Sequence, residues 1–434
     1  MTAPTVPEAR QGAEARDWSW VEGSVWTERM VSALENGVKG GKWYSLMDKV
    51  YAPATLTAAF AKVRSNGGAA GVDGESVERF AAHAEAYLAE LSRSLCTGQY
   101  RAAAIRRVEI AKSDGGKRPL GIPTVKDRIV QTAVKFALEP ILEARFHPRS
   151  FGFRPGRGAK DALREVDRLI KSGHCYVVDA DLKSYFDTIP RDRLMARLEA
   201  LVSDGRVLDL VRGWLEQDVV SECGRWTPAG GTPQGAVISP LLANLYLHPL
   251  DERMSELGLS MVRYADDFVV LCSSMAEAQG ALETIRTFVN ENGLTLHPAK
   301  THVGDCRLRD QGFEFLGYRF EAGRRLVRKK SLIALRAKIR AKTGRASGRS
   351  LARTIEALNP MLKGWFGYFK HASCGLKDID AFTRRRLRAM LRKQEKRPGC
   401  GAAPEDRWRW PNAFFANAGL FTLDTAWRCA RNSR

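Results

Sequence analysis

The sequence predicts an α+β fold that gives way, toward its C-terminal end, to a basic helical bundle. Three observations carry that expectation. Short β-prone runs alternate with segments of helical periodicity, the pattern of strands and helices packed around a shared core. Two of those runs, 259–263 and 268–272, flank Tyr264-Ala265-Asp266-Asp267, which reads as a hairpin with adjacent carboxylates at its tip. Beyond Glu321 acidic residues become sparse, basic residues accumulate from Arg324 to Arg353, and Leu332, Leu335 and Ile339 recur on one helical face.

The elements follow in order. The stretch to about Trp43 is polar, with scattered Trp and Gly, and gives no firm element. Helical patterning starts at Tyr51 and breaks at 66–74, a loop dense in glycines. Ile105 to Ile110 reads as a strand that enters a turn at Lys112-Ser113-Asp114-Gly115-Gly116-Lys117-Arg118. A long amphipathic helix is expected from about Lys126 to Phe146, kinked by Pro140. Ser150-Phe151-Gly152-Phe153-Arg154-Pro155-Gly156-Arg157-Gly158 is a basic, aromatic loop with two equal readings. Its rings and guanidinium groups suit stacked bases and phosphates, and its two Phe side chains equally suit a core plug. A strand at 174–182 leads into Lys183-Ser184-Tyr185-Phe186-Asp187, and Gly230-Gly231-Thr232-Pro233-Gln234-Gly235 opens a helix. After the hairpin come a helix near Ala276 to Asn292 and a strand around Phe313 to Phe320. Ile379, Phe382, Met390 and Leu391 mark a further helical face.

The 434 residues are 44% hydrophobic, ordinary for a globular chain, but carry a formal net charge of +20 with a pI near 9.8. That balance favours a polyanionic partner, most simply nucleic acid. No apolar run is long enough to span a bilayer, and the start lacks a basic-then-apolar leader, so an intracellular protein is expected. The eight cysteines are scattered without a Cys-x-x-Cys pair, which disfavours structural zinc and fits reduced thiols.

Adjacent aspartates repel, and a turn between apolar strands has no structural need for both. A divalent cation would remove the repulsion. Two-metal phosphoryl transfer needs carboxylates from separate segments converging on ions about 3.5–4 Å apart. Asp266 and Asp267 supply two, and the strand at 174–182 offers Asp179 and Asp181, which share one face by alternation. Periodicity does not choose between them.

At these residues the chain resembles the reverse transcriptases encoded by group II introns, also called intron maturases, from about Asn66 onward. The resemblance implies a right-hand polymerase: an N-terminal extension (1–50), fingers (51–165), a ferredoxin-like palm (166–322), a helical thumb or X domain (323–395) and a basic, aromatic nucleic-acid-binding tail (396–434). The family pattern D-[IL]-x-x-[FY]-F-D selects Asp181, with Asp266 and Asp267, as the catalytic carboxylates. It makes the Leu182 carbonyl a further metal ligand for two Mg²⁺ ions, with Mn²⁺ as an alternative. Phe186 matches the residue that blocks a ribose 2′-hydroxyl. Gln234, Lys117, Arg118, Tyr264, Ala265 and Lys300 match positions around the incoming nucleotide and primer-template, and Phe315-Leu316-Gly317-Tyr318 resembles a primer-gripping hairpin. Arg154 and Arg157 are expected to assist template binding.

Downstream, Asn359-Pro360 followed by Gly364-Trp365-Phe366-Gly367-Tyr368 resembles the maturase signature. It makes Trp365 and Tyr368, with the basic Lys338, Arg340 and Lys342, expected RNA contacts. The implied function is RNA-directed DNA synthesis by a cytoplasmic, nucleoid- or ribonucleoprotein-associated protein. It would bind its own intron RNA, use dNTPs on an RNA template with a DNA primer, assist splicing and invade target DNA. The rivals are another bacterial reverse transcriptase, of the retron, diversity-generating or defence type, and a splicing maturase without polymerase activity. The paired cysteines and histidine site of a C-terminal endonuclease are missing, since no histidine follows His371.

Overall fold

Alternation decides the architecture around the carboxylates. Tyr176–Asp181, Ser260–Tyr264, Asp267–Cys272 and His302–Asp305 form an antiparallel sheet in which Asp267–Cys272 and Tyr176–Asp181 are the inner strands. Val178, Ala180, Phe268, Val270 and Cys272 point to one face, and Val177, Val269 and Leu271 to the other. Both faces are therefore covered. Helices Ser239–Glu256 and Met275–Glu291 lie against the first face. Helix Ala159–Lys171 and the small sheet of Phe313–Phe315, Tyr318–Glu321 and Arg324–Val327 lie against the second. Along the chain the order is βαββαβ, and in space the strands run second, third, first, fourth, which is the ferredoxin-like arrangement.

The computed structural model describes residues 16–38, 40–111, 116–346, 348–373 and 375–432, without the side chains of Ala111 and Arg118. Of the turn expected at 112–118, residues 112–115 lie outside the described residues, while Lys117 and Arg118 already pair in strand Lys117–Ile122 with Ala111 and Ile110. A second four-stranded sheet joins Lys117–Ile122, Ile105–Ala111, Val219–Ser221 and Gly224–Trp226. The long helix runs Val125–Glu143, capped by the Thr124 hydroxyl accepting from the Asp127 amide, with Pro140 in its last turn. Among the described residues no helix is long and apolar enough to cross a membrane.

Two expected boundaries fall inside a continuous core. Val25, Trp26, Leu46, Met47 and Val50 pack in the same apolar cluster as Val130, Leu198, Phe268 and Leu294. The Trp26 indole donates to the Phe136 carbonyl at 2.8 Å, and Asp204 accepts from the Leu46 and Met47 amides. Residues 16–50 are thus a packed part of this unit rather than an appended extension. The join at 165/166 likewise interrupts no core.

The C-terminal segment is a second correction. Trp410, Phe415, Leu420 and Leu423 are buried with Leu335, Ile339, Ile355, Leu358, Leu362, Leu387 and Met390. Helices Pro404–Arg409, Asn412–Asn417 and Leu423–Asn432 complete the bundle begun by Lys329–Lys342, Leu351–Phe369 and Lys377–Gln394. Of the aromatics in the expected binding tail, Trp410 and Phe415 belong to this core, whereas Trp408 and Phe414 are exposed, at 86% and 38%.

Candidate active site

The strand register sets Asp181 directly opposite Asp267. Side chains so paired have Cβ atoms about 4.5–5.5 Å apart, and like charges there repel. Asp179 shares their face two residues earlier. Burial first, then the charges of Asp179, Asp266 and Asp181, push the Asp267 carboxyl up to about 7. Asp179 is raised to about 6, chiefly by burial, with His302 and a hydrogen bond from the Glu314 backbone pulling the other way. Four carboxyl groups therefore converge where two strands end.

The turn that presents them is built against local preference. Tyr264 pairs with Asp267, leaving Ala265 and Asp266 as a two-residue connection. Ala265 has φ +61°, a conformation that costs a non-glycine residue about 1–2 kcal/mol. What holds it is a fully buried arginine. The Arg263 guanidinium donates to the Ala265 carbonyl at 3.0 Å, to Asn244 Oδ1 at 2.8 Å and to both Asp251 carboxylate oxygens. Asn244 in turn donates to the Gly152 carbonyl at 2.7 Å. On the outer edge the Phe151 amide donates to the Arg263 carbonyl and the Arg263 amide to the Arg149 carbonyl. A Cβ on Gly152 would stand 2.3 Å from the Ala265 nitrogen, so glycine alone fits. Phe151 is buried, whereas Phe153 is 51% exposed with its ring 6.3 Å from that of Tyr264. Phe151 thus plugs the core, and Phe153 does not.

Around the carboxylates, Lys300 Nζ lies 2.5 Å from Asp181 Oδ2, and the His297 amide donates to the Asp181 carbonyl. Leu182 is buried and bridges to Leu296. Gln234 donates to both Asp187 oxygens at 3.0 Å. Its loop is pinned from two sides: the Thr232 amide donates to the Phe186 carbonyl, and the Gly121 amide to the Gln234 carbonyl. Gly235 completes this, with φ +106° and a would-be Cβ 2.2 Å from the Gly121 oxygen. A cavity of about 330 Å³ opens beside the loop, bordered by Arg107, Pro119, Asp187, Arg191, Trp226 and Gln234. Phe186 is half-buried against the main core. Lys117 is exposed and pairs with Glu109 at 2.6 Å; the Arg118 side chain lies outside the described residues.

Several expected RNA contacts have other work. Arg154 is buried, its fork held by both Glu143 oxygens and by the His147 and Ser150 carbonyls, so it fastens the loop rather than meeting a template. Arg157 donates to the Pro148 carbonyl but keeps a third of its side chain exposed. Tyr368 donates to the Leu316 carbonyl at 2.8 Å, and Tyr318 donates to the Tyr368 carbonyl at 2.6 Å. The Trp365 ring packs 4.6 Å from that of Phe369. This aromatic pair, half-buried, therefore helps to clamp its helix to the Phe315–Tyr318 hairpin. Lys338 and Arg340 are exposed and Lys342 half-buried. Sequence reasoning missed Arg263, Asp251 and Asn244, although an arginine inside an apolar strand next to the Asp pair was a usable signal.

Among the described residues no three His, Cys, Asp or Glu side chains form a ready-made ligand cluster for a metal ion. The donor set nevertheless fits divalent cations. Its oxygens are hard ligands, Asp181 already holds a cation in Lys300, and burial together with the neighbouring carboxylates pushes the Asp267 carboxyl up to about 7.

Residues 110–320 match the family described as "Reverse transcriptase (RNA-dependent DNA polymerase)", and residues 332–409 match "Group II intron, maturase-specific domain". Protein YkfC of Escherichia coli is 35% identical over 304 residues, covering 60% of this chain and 76% of YkfC. The group II intron-encoded protein LtrA of Lactococcus lactis is 34% identical over 214 residues, covering 49% of this chain and 35% of LtrA. Among solved structures, a partial Cas6-RT-Cas1–Cas2 complex aligns with a TM-score of 0.37 at 27% identity, over 57% of this chain and 41% of that one. That superposition adds no argument of its own. The chain belongs to the reverse transcriptases and maturases encoded by group II introns. It combines a polymerase-like region with a maturase-specific one, and spans only about a third of LtrA.

Proposed function

We propose that the chain is an RNA-directed DNA polymerase that binds its own intron RNA, assists its splicing and copies it into target DNA by target-primed reverse transcription. The observation that carries the catalytic part is the Asp181–Asp267 cross-strand pair, with the Asp267 carboxyl displaced to about 7. In this reading the carboxylate sheet is the palm, and the sheet containing Lys117–Ile122 with its neighbouring helices is the fingers. The bundle from Lys329 to Asn432 is the thumb. Asp181, Asp266, Asp267 and the Leu182 carbonyl would hold two Mg²⁺ ions, and Mn²⁺ suits the same oxygen ligands. Bound there, such ions stabilise charge on the attacking and leaving oxygens.

The protein's own groups do the rest. Lys300 neutralises Asp181 beforehand and is then released toward the phosphates. Asp187 orients the Gln234 amide beside the incoming nucleotide, Phe186 excludes a 2′-hydroxyl, and Lys117 and Arg118 meet the triphosphate. The primer 3′-hydroxyl attacks the α-phosphate and pyrophosphate leaves. Lys338, Arg340 and Lys342 supply phosphate contacts to intron RNA, and Arg157 one to the template. In this reading the protein works in the cytoplasm, associated with its RNA and with the nucleoid.

Primer extension on an RNA template is the test. Asp266→Ala should fall below about a hundredth of wild type, several kcal/mol of barrier, with RNA affinity retained. An inactive wild type that still promotes splicing would identify a maturase without polymerase activity. Activity surviving in Asp266→Ala would remove the carboxylate assignment.

A further inference from the structure

Helix Val125–Glu143 buries Ile129, Val130, Ala133 and Val134, as an apolar core helix should, yet Thr124, Asp127, Arg128 and Gln131 recur at helical spacing and are buried too. Buried polar groups cost stability unless they are paired, so the partners of this stripe tell what it holds. Asp127 accepts from the Tyr100 hydroxyl at 2.6 Å, the Thr124 hydroxyl at 2.8 Å and the Ala103 amide at 3.3 Å, which fixes the approach to strand Ile105–Ala111. The Arg128 fork donates to the Gly67 and Ala69 carbonyls at 3.2 and 2.9 Å. Nearly one turn on, Gln131 Oε1 accepts from the Val237 amide at 2.8 Å.

This last attachment reaches the loop that presents Gln234. Upstream of Gln234, and at its own carbonyl, the loop is tied by main-chain bonds to Ile189, Phe186 and Gly121. Downstream, Val237 leads into helix Ser239–Glu256, and the flanking Ile238 has no side chain to cap it. Among the described residues, the bond to Gln131 is the one hydrogen bond that ties 235–238 to anything beyond the loop and its own helix. Gln131 is fully buried, and its Nε2 is shielded from solvent without an acceptor. For filling space an amide is the poorer choice, since leucine or methionine of like volume strands no donor. What the amide supplies, and they do not, is the acceptor for Val237.

We propose that Gln131 is a positioning residue for nucleotide selection: by holding Val237 it sets where Gln234 stands beside Asp187, and so how closely the site fits a matched nucleotide. The role rests on reading the chain as an RNA-directed DNA polymerase, and it belongs to a side chain whose described partner is a backbone amide three residues past Gln234. Without that acceptor the Val237 amide turns to water, and the loop yields rather than the helix, because little else holds the loop on this side. The carboxylates keep their own supports in Arg263 and Asn244. The loss therefore falls on KM and on discrimination rather than on kcat.

The test is primer extension by the whole chain on a saturating RNA template with a DNA primer, each dNTP being varied in turn. Gln131→Leu should raise KM for the matched dNTP about two- to tenfold, the span of one hydrogen bond, with kcat within about twofold of wild type. The ratio of kcat/KM for matched over mismatched dNTP should fall by a similar factor. Gln131→Glu keeps an acceptor oxygen at the same reach, and at about pH 6 burial holds its carboxyl protonated; compared with wild type at that pH, it should recover most of both losses. Thermal melting, expected within about 4 °C of wild type, checks that the Leu variant folds. Should it not, Gln131→Met, unbranched like glutamine, carries the same comparison. An unchanged KM and ratio in a folded apolar variant, a fall in kcat with KM unmoved, or a folded Glu variant no better than Leu would overturn the role while leaving the polymerase reading intact. A wild type that extends no primer would overturn that reading, and this role with it.

Discussion

Replacing Asp267 with Asn should stabilise the protein while abolishing its chemistry. The folded chain keeps the Asp267 proton to about 7, whereas an unfolded chain loses it near 3.8. For this group the stability is fully present below about pH 4 and declines as pH rises toward about 7, because only the unfolded state readily ionises there. Three pH units at about 1.4 kcal/mol each make the ionised carboxylate cost about 4 kcal/mol. An asparagine, which cannot ionise, avoids that cost. Urea unfolding followed by tryptophan fluorescence should therefore find Asp267→Asn more stable by up to about 4 kcal/mol near pH 8, and by less than half of that near pH 5. Adding Mg²⁺ near pH 8 should narrow the gap, since ions that bind only the folded wild type stabilise it by about 2.7 kcal/mol at a hundred times their dissociation constant. Primer extension should be lost throughout. A variant less stable than wild type near pH 8 without Mg²⁺ would refute the argument, because the carboxylate would then be a net structural asset.

Three other perturbations probe the turn and its surroundings. Asp251→Ala leaves the buried Arg263 guanidinium unpaired and should cost about 3–5 kcal/mol in denaturant unfolding; the double change Asp251→Leu with Arg263→Met should recover much of that stability but not the extension rate. Gly152→Ala drives a methyl into the Ala265 amide, and a displacement of the carboxylates by about an ångström should slow single-turnover extension about a hundredfold. Phe186→Ala should raise kcat/KM for ribonucleotides relative to deoxynucleotides, and an unchanged ratio would leave Phe186 with packing alone.

The arrangement of the carboxylates was legible in the sequence because it is written locally. An Asp-Asp pair between two apolar runs and aspartates two apart on another strand need only period-two alternation to share a face, and the register bears that out. What misled was charge and aromaticity read without a direction. Arg154 looks like a phosphate ligand until the preceding helix is seen to deliver Glu143 to its fork. Trp365 and Tyr368 lie three apart on a helix, a spacing that serves an RNA face and a packing face equally. The hydrogen bonds to the Leu316–Tyr318 turn reveal a packing role that the spacing alone does not. The role of residues 16–50 was illegible for a related reason: Trp26 finds its partner at Phe136, and no local pattern encodes so distant a contact.

The docking of Leu423 and Phe415 into the bundle core has a consequence for synthesis. Chains fold as they emerge, and contacts between distant segments must wait for the later one. The cluster that carries the carboxylate sheet draws on residues no later than Leu294 on one face, whereas the bundle lacks its innermost side chains until translation has passed residue 423. A growing chain therefore completes the sheet face opposite the carboxylates first, whereas the face that carries them waits for Phe369 and Ala372 and the basic bundle closes last.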